Sequence, residues 1–237
     1  MGEAMNNLKT GLAFFATMAV MAMPVSTANA QGPKYFPNFK IDNTCAHISV
    51  YDFAEIHLNV NRTLNDAVLA VDFEKSSPEY KTSFGIHDRA RHTKVRNRMK
   101  LIRDGTYNIQ IKVKCETPGQ SSVCKKDMSK SGLAWASKTE HVINLCPVYF
   151  EASKDLVRRI SPWNNKSTMQ GDIFLHELTH FSWKKSKISV GRTVDDEYDQ
   201  EGVEYLAEDD PDLAIDNADS YRIFMMKLAV RNRTIYR

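Results

Sequence analysis

The sequence predicts an α+β fold that is mainly helical, with a small antiparallel sheet. Apolar residues recur at intervals of three and four over residues 48–73, and Val95, Met99 and Ile102 form one stripe of a second segment, which indicates helices. Only two short segments have the pattern of strands. Hydrophobic residues make up 42% of the chain and charged residues 26%, a globular composition, and 237 residues are enough for one domain with a hydrophobic core.

The first half of the chain contains two predicted helices and one predicted strand. Apolar spacing indicates a helix over residues 48–73, either continuous or broken near Asn61. A second helix, over 87–103, is strongly basic. The turn pair Asp104-Gly105 then precedes an alternating strand over 107–115.

The second half is dominated by a helix over residues 168–183, for which Thr168 is the predicted N-cap. The remaining predicted elements are a loop over 115–124, a strand over 141–146, a helix over 153–160, a loop-like stretch over 189–198 and helices over 201–207 and 217–230.

Residues 1–30 have the pattern of a secretory signal peptide. Lys9 precedes an apolar run over 11–23, and small residues end the segment at Ala28-Asn29-Ala30, which predicts cleavage before Gln31. The apolar run is too short to span a bilayer comfortably. We therefore expect a secreted, extracellular protein with one domain over 31–237 and no membrane association after cleavage.

The predicted secreted part carries four cysteines. An even number of cysteines in a secreted chain predicts two disulfides, and spacing alone leaves all three pairings open. The residues are Cys45, Cys115, Cys124 and Cys146.

The segment His176-Glu177-Leu178-Thr179-His180 has the spacing of a metal site on a helix. Residues four apart share a helix face, so His176 and His180 can both direct a ring nitrogen at one Zn²⁺. Glu177, next to the first histidine, is placed to take a proton from an attacking water.

Catalytic zinc requires a third protein ligand, and no histidine follows His180 in the chain. The residues leave two schemes open. In one, Asp195 is the ligand, after a loop. In the other, Glu201 or Glu204 on a following helix takes that position.

Two further segments resemble a known family. The run from Gly191 to Tyr198, Gly-Arg-Thr-Val-Asp-Asp-Glu-Tyr, is similar to the G-T-x-D-x-x-Y-G signature of the deuterolysin-like (aspzincin) secreted metalloendopeptidases of fungi. The segment Asn217-Ala218-Asp219-Ser220-Tyr221 resembles a second hallmark of that family. The resemblance implies a zincin-type fold with the sheet over the active-site helix and a catalytic core over about residues 140–230.

The resemblance also implies site residues and a cofactor. His176, His180 and Asp195 would bind one Zn²⁺ per chain, and Glu177 would be the general base. Tyr198 would donate its hydroxyl to the oxyanion of the tetrahedral intermediate. Peptides or proteins would be the substrates.

Further implications concern structure around the site. The family's order of disulfides pairs Cys45 with Cys115 and Cys124 with Cys146. The strand over 141–146 would lie beside the active-site helix and hold an extended substrate through main-chain hydrogen bonds. Asp219 would have a structural role or orient a ligand histidine.

The sequence departs from the family pattern at two positions of the signature. Arg192 is inserted after Gly191, and Asp199 stands where the family has glycine, which requires a non-glycine residue to accept that glycine's backbone geometry. These departures support an alternative function, a catalytically impaired secreted binding protein or effector that retains the protease fold.

Charge patterning suggests a substrate preference. Residues 193–216 contain eleven acidic residues and no lysine or arginine, so a cleft lined by them would favour basic, lysine-containing substrates. The competing interpretation is a solvated acidic face. The basic helix over 87–103 lacks interleaved aromatic residues, so we expect no nucleic-acid binding there. We also expect a monomer.

Overall fold

The order of helices and strands follows the predicted α+β pattern in a computed structural model that describes residues 38–73, 76–137, 140–160 and 165–231. The predicted signal peptide, residues 1–30, lies outside the described residues. The elements are β1 (Phe39–Ile41), α1 (Val50–Ala70), α2 (Pro78–Phe84), α3 (Arg89–Asn108), β2 (Ile111–Cys115), β3 (Ala134–Ala136), β4 (Val142–Leu145), α4 (Pro147–Glu151), α5 (Lys154–Ile160), α6 (Lys166–Thr179), β5 (Trp183–Lys185), β6 (Ile188–Val190), α7 (Asp199–Asp209), α8 (Pro211–Ala214) and α9 (Ala218–Arg231).

Helix α1 is the central helix of the core. It packs against α3, α6 and α9. Its buried residues, including Val60 and Leu64, continue at helical spacing past Asn61, so the helix is continuous there. Ser49 caps its N-terminus by accepting a hydrogen bond from the N–H of Tyr51.

Helix α3 extends beyond the turn that the sequence predicts. The expected turn at Asp104-Gly105 is absent, because the helix runs through both residues to Asn108. A Cβ atom on Gly105 would lie 2.0 Å from Cζ3 of Trp183, so the glycine gives the indole ring room against the helix. The strand that follows begins at Ile111 rather than at Tyr107.

The larger sheet has four strands in the order β1-β2-β4-β3. Strand β3 pairs antiparallel to β4, and a separate hairpin of β5 and β6 is antiparallel as well, which agrees with the predicted antiparallel pairing. Strands β1, β2 and β4 are parallel to each other, a feature that the sequence did not predict.

The strand beside α6 with a free edge is β3, not the predicted strand over 141–146. Strand β4 lies inside the sheet, where β2 and β3 flank it. Its main-chain groups are therefore already paired on both sides. Both β3 and β4 contact α6, but β3 forms the edge of the sheet.

Both predicted disulfides are present. Cys45 pairs with Cys115 and ties the segment after β1 to the end of β2. Cys124 pairs with Cys146 and ties the loop before β3 to the end of β4. None of the helices in the described part of the chain combines the length and apolar character that a membrane span requires.

The basic residues of α3 pair in part with acidic residues of the C-terminal third. Arg98 is buried and donates a hydrogen bond of 2.8 Å to Oδ1 of Asp216. Nη1 of Arg91 lies 3.7 Å from Oδ1 of Asp212. These pairs neutralise part of the basic helix and some of the acidic segment.

Candidate metal centre

Helix α6 places the two histidines of the motif one turn apart. It begins after Asn165, whose side chain accepts hydrogen bonds from the N–H groups of Ser167 and Thr168. The prediction of Thr168 as N-cap is therefore wrong by three residues, since Asn165 supplies the capping oxygen.

The same helix ends at Thr179 rather than near Trp183. His180 is its C-cap and keeps helical backbone angles, so the spacing of the histidines is preserved. The indole N–H of Trp183 donates to the carbonyl of Leu178 at 2.9 Å, and the N–H of Thr193 donates to the carbonyl of Thr179 at 3.3 Å. These bonds satisfy carbonyls that a continuing helix would have used.

Three potential ligand atoms converge at this helix end. Nε2 of His176 lies 3.1 Å from Nε2 of His180. Oδ1 of Asp195 lies 3.1 Å from the former nitrogen and 3.2 Å from the latter. Of the candidates for third ligand, Glu204 instead accepts hydrogen bonds from Gln200 and Lys227, and Glu201 is exposed on α7.

This triangle fits zinc in both donors and dimensions. Two imidazole nitrogens and one carboxylate oxygen are common ligands of catalytic zinc. Four ligands placed tetrahedrally about 2.1 Å from zinc lie about 3.4 Å from one another. The observed separations are close to that value, so the three side chains are arranged as one face of such a site.

Asp219, at the start of α9, fixes the ring of His176. Its Oδ1 lies 2.6 Å from Nδ1 of His176, which leaves Nε2 directed toward Asp195. Arg222 holds the same carboxylate with two hydrogen bonds, of 2.8 and 2.7 Å. Burial opposes ionisation, but the charge of Arg222 keeps the pKa of Asp219 well below its usual range.

The ring of His180 is held by the loop that leads to Asp195. Nδ1 of His180 lies 3.2 Å from the carbonyl oxygen of Thr193. The hydroxyl groups of Thr193 and Thr179 are 2.8 Å apart, which ties this loop to the end of α6. The main-chain carbonyl thus fixes the ring position that leaves Nε2 free for a metal. Sequence reasoning missed this contact. Thr193 matches the threonine of the signature, but a sequence pattern does not show which side chain its carbonyl meets.

Glu177 is almost completely buried beside the two histidines. Burial raises the pKa of Glu177. The imidazoles of His176 and His180 and a hydrogen bond from the main chain of Ala136 on β3 oppose that shift. A carboxylate with a raised pKa accepts and returns a proton more readily near neutral pH than an ordinary one.

Tyr198 lies at the entrance of the site, where its ring stacks on that of His176 with centroids 6.1 Å apart. Partial burial and the charge of Asp195 raise the pKa of Tyr198 to about 12, so its hydroxyl stays protonated and can donate a hydrogen bond. More than half of the side chain remains exposed.

Asp199 adopts the backbone geometry expected of the glycine that it replaces. Its φ angle is 59°, in the left-handed region that aspartate tolerates better than most residues. Its N–H donates to Oδ2 of Asp219, and its own Oδ1 accepts from the N–H of Gly202, both at 3.0 Å. The substitution is therefore accommodated and linked to the support of His176.

The ligand atoms face a cavity of about 920 Å³ between α6 and the edge of the sheet. Ala134 and Ala136 of β3 line it. The carbonyl of Leu133 and the N–H of Ser137 bond to the β4 side, so the main-chain groups of the two alanines point to the open edge.

The acidic segment contributes less to this cavity than its composition suggested. Of the eleven acidic residues between 193 and 216, Asp195 and Asp199 line the cavity, together with the basic Arg192. Others pair elsewhere, as Asp216 does with Arg98 and Glu204 with Lys227.

A helix that presents two histidines, with an aspartate from the following loop and a buried glutamate, is an arrangement that zinc metallopeptidases use. A family model described as lysine-specific metallo-endopeptidase (aspzincin) matches residues 70–226, more than half of the chain. The chain belongs to the aspzincin family of zinc metallopeptidases, and its substrates are accordingly peptides or proteins.

Solved structures support the same fold. A zinc peptidase from Grifola frondosa superposes with a TM-score of 0.56 at 19% sequence identity, over 75% of this chain and 93% of the other. No curated protein sequence matches the chain.

Proposed function

We propose that the chain is a secreted endopeptidase in which His176, His180 and Asp195 hold one Zn²⁺ and Glu177 is the general base. The convergence of the three ligand atoms, between 3.1 and 3.2 Å apart, carries this proposal. The ligands lie at the wall of a cavity large enough for a peptide.

The chain's own residues have separate tasks in the proposed reaction. When bound, zinc polarises the scissile carbonyl and makes water more acidic. Glu177 takes the proton of the attacking water at a carboxylate oxygen and delivers it to the leaving amine nitrogen. Tyr198 donates its hydroxyl hydrogen to the oxygen on which negative charge develops.

The free edge of β3 is the proposed binding surface for the substrate main chain. An extended peptide can pair with the outward main-chain groups of Ala134 and with the carbonyl of Ala136, whose N–H already donates to Glu177, and so lie across the metal ligands. The peptide bond to be cleaved is then held close to Glu177.

Secretion, signal cleavage before Gln31, a single domain over 31–237 and a monomeric state belong to the same proposal. Two disulfides among the described residues, with no free cysteine there, agree with an oxidising compartment. N-terminal sequencing of protein recovered from the medium tests the cleavage site directly.

A preference for basic, lysine-containing substrates is also part of the proposal. It draws support from the description of the matching family and from the carboxylates on the cavity wall. The acidic segment as a whole supports it less than the sequence implied, because most of that segment points elsewhere.

Replacement of the proposed base tests the reaction. With zinc bound, we expect Glu177→Gln to lower kcat for peptide cleavage about a hundred- to ten-thousand-fold, while Glu201→Gln on the exposed face of α7 leaves it unchanged. Equal cleavage by the Glu177 variant would refute the assigned role. Zinc-loaded wild type that cleaves no peptide would favour the alternative of an impaired binding protein.

A further inference from the structure

The loop that carries Asp195, residues 194–198, gains little from hydrophobic packing. Its two large apolar side chains are largely in solvent, since Val194 is 49% exposed and Tyr198 is 58% exposed. Asp196 is exposed as well. A metal ligand must nevertheless be held within about 0.5 Å of its working position. Contacts other than side-chain burial must therefore fix this ligand loop.

Those contacts come from Asn217, the residue that precedes α9, whose side chain is completely buried. Its Oδ1 accepts hydrogen bonds from the N–H groups of Asp196 at 3.2 Å and Glu197 at 3.3 Å. Its Nδ2 donates to the carbonyl of Glu197 at 3.1 Å. One amide thus holds the main chain of the two residues that follow Asp195.

The main chain around Asn217 holds the residue before Asp195. The N–H of Val194 donates to the carbonyl of Asp216 at 2.8 Å, and the N–H of Ala218 donates to the carbonyl of Val194 at 2.9 Å. Val194 and Asn217 therefore form an isolated parallel bridge. Asp195 is fixed from both sides in the chain, and its own side chain is left to face the two histidines.

An asparagine amide suits this position because all of its hydrogen-bonding capacity is used. The group has two N–H donors and two acceptor lone pairs. The second donor bond of Asn217 runs to the hydroxyl of Ser220 at 3.2 Å and fixes the orientation of the amide. A carboxylate would lack both donors. Since α9 packs against α6, the amide ties the ligand loop to the helices that position the histidines.

We propose that Asn217 is a positioning residue for the third zinc ligand, and that its amide fixes the ligand loop so that Asp195 meets His176 and His180. This inference rests on the proposed zinc site. Without the amide, the surface loop would sample other conformations and present its carboxylate for only part of the time. Groups that orient a metal ligand typically contribute 10- to 100-fold to metal affinity.

Zinc affinity measured by chelator competition tests the proposal. Asn217→Ala should lower it about 10- to 100-fold. Ser220→Ala is the matched control, because it removes one hydrogen bond of the same amide and leaves the bonds to the ligand loop in place. Its zinc affinity should stay close to that of wild type. The visible absorption of bound Co²⁺, which depends on ligand number and geometry, should change in Asn217→Ala and not in Ser220→Ala.

A double-mutant cycle separates positioning from a general loss of stability. In an Asp195→Ala background, Asn217→Ala should weaken zinc binding by less than about two-fold more, because the ligand that it positions is gone. An equal loss in both backgrounds would show that Asn217 acts on the fold as a whole and would overturn the proposal. Wild-type affinity in Asn217→Ala would overturn it as well.

Amide hydrogen exchange in wild type needs no variant and so covers the case that Asn217→Ala does not fold. The N–H groups of Asp196 and Glu197 should exchange at least about ten-fold more slowly than in an unstructured peptide, although their loop lies at the surface. Unprotected amides would contradict the proposal.

Failure of the zinc site itself gives a different result. If Asp195→Ala binds zinc as tightly as wild type, the zinc site fails and this inference fails with it. If Asp195→Ala loses zinc while folded Asn217→Ala keeps wild-type affinity, the zinc site stands and only the role of Asn217 is refuted.

Discussion

Asp219 and His176, 43 residues apart in the chain, form a hydrogen bond of 2.6 Å between Oδ1 and Nδ1. Arg222, on the next turn of α9, holds the other side of the same carboxylate. The position of a proposed ligand on α6 therefore depends on a buried ion pair on α9. Metal binding and the packing of the two helices are coupled through one carboxylate.

Removal of Asp219 is expected to weaken both metal binding and stability. Asp219→Ala should lower zinc affinity about 10- to 100-fold, because His176 loses the partner that orients it. It should also lower the free energy of unfolding of the metal-free protein by about 3–5 kcal/mol, because Arg222 is left buried and unpaired. Chelator competition and urea unfolding measure the two effects.

A second replacement separates the effect on zinc affinity from the effect on stability. In Asp219→Ala with Arg222→Met, the unpaired charge is gone, so stability should recover while zinc affinity stays low. Zinc affinity that equals that of wild type in either variant would show that the hydrogen bond does not position the ligand.

Gly105 is expected to tolerate no larger residue. Gly105→Ala would place a Cβ 2.0 Å from Trp183, and we expect overpacking to lower the free energy of unfolding by about 1–3 kcal/mol. Alanine's better helix propensity, worth about 1 kcal/mol, acts in the opposite direction. Gly191→Ala is the control, since no heavy atom lies within 4 Å of that Cβ position. An alanine variant at 105 as stable as wild type would rule out this packing argument.

Because the backbone of Asp199 is left-handed, we expect asparagine and alanine at this position to differ in their effect on stability. Asp199→Asn keeps a side chain that can accept from Gly202 and tolerates this geometry, so the free energy of unfolding should change by less than about 0.5 kcal/mol. Asp199→Ala loses both advantages and should cost about 1 kcal/mol or more. Thermal unfolding of the metal-free variants measures the difference, and an alanine variant that matches the asparagine variant would contradict it.

The two disulfides should differ in their effect on stability. Their sequence separations are 70 residues for Cys45–Cys115 and 22 for Cys124–Cys146. Loop-closure entropy predicts losses of about 4 and about 3 kcal/mol when each pair is replaced by alanine. Urea unfolding of both double variants tests whether loss of the Cys45–Cys115 bond costs more stability than loss of the Cys124–Cys146 bond.

The shorter disulfide should have the larger effect on substrate binding. Ser122 and Val123, next to Cys124, line the cavity. Loss of the Cys124–Cys146 bond should therefore raise KM for peptide cleavage more than loss of the other bond does. An equal or smaller rise would mean that the loop is held by other contacts.

The sequence predicted well what local spacing determines. The spacing of apolar residues predicted α1, and the four-residue spacing of His176 and His180 predicted that they share one helix face. Patterns within one segment record which face is buried, and α1 and α6 are both packed against the core.

Features that depend on distant packing were missed. Asp104 and Gly105 have the composition of a turn, but Trp183 packs on Gly105 and the helix continues through both residues. The three residues of β3 are too few to show alternation, and parallel pairing joins strands far apart in the chain. Residue types alone also could not distinguish Asp195 from Glu201 as a ligand.

The account depends most on the zinc site formed by His176, His180 and Asp195. The most direct test is zinc content by elemental mass spectrometry after dialysis, for wild type, Asp195→Ala and Asp196→Ala, whose side chain is exposed beside the proposed ligand. We predict one zinc per chain in wild type and in the Asp196 variant, and a large loss in the Asp195 variant. Equal zinc content in all three proteins, or no zinc in wild type, would contradict the site.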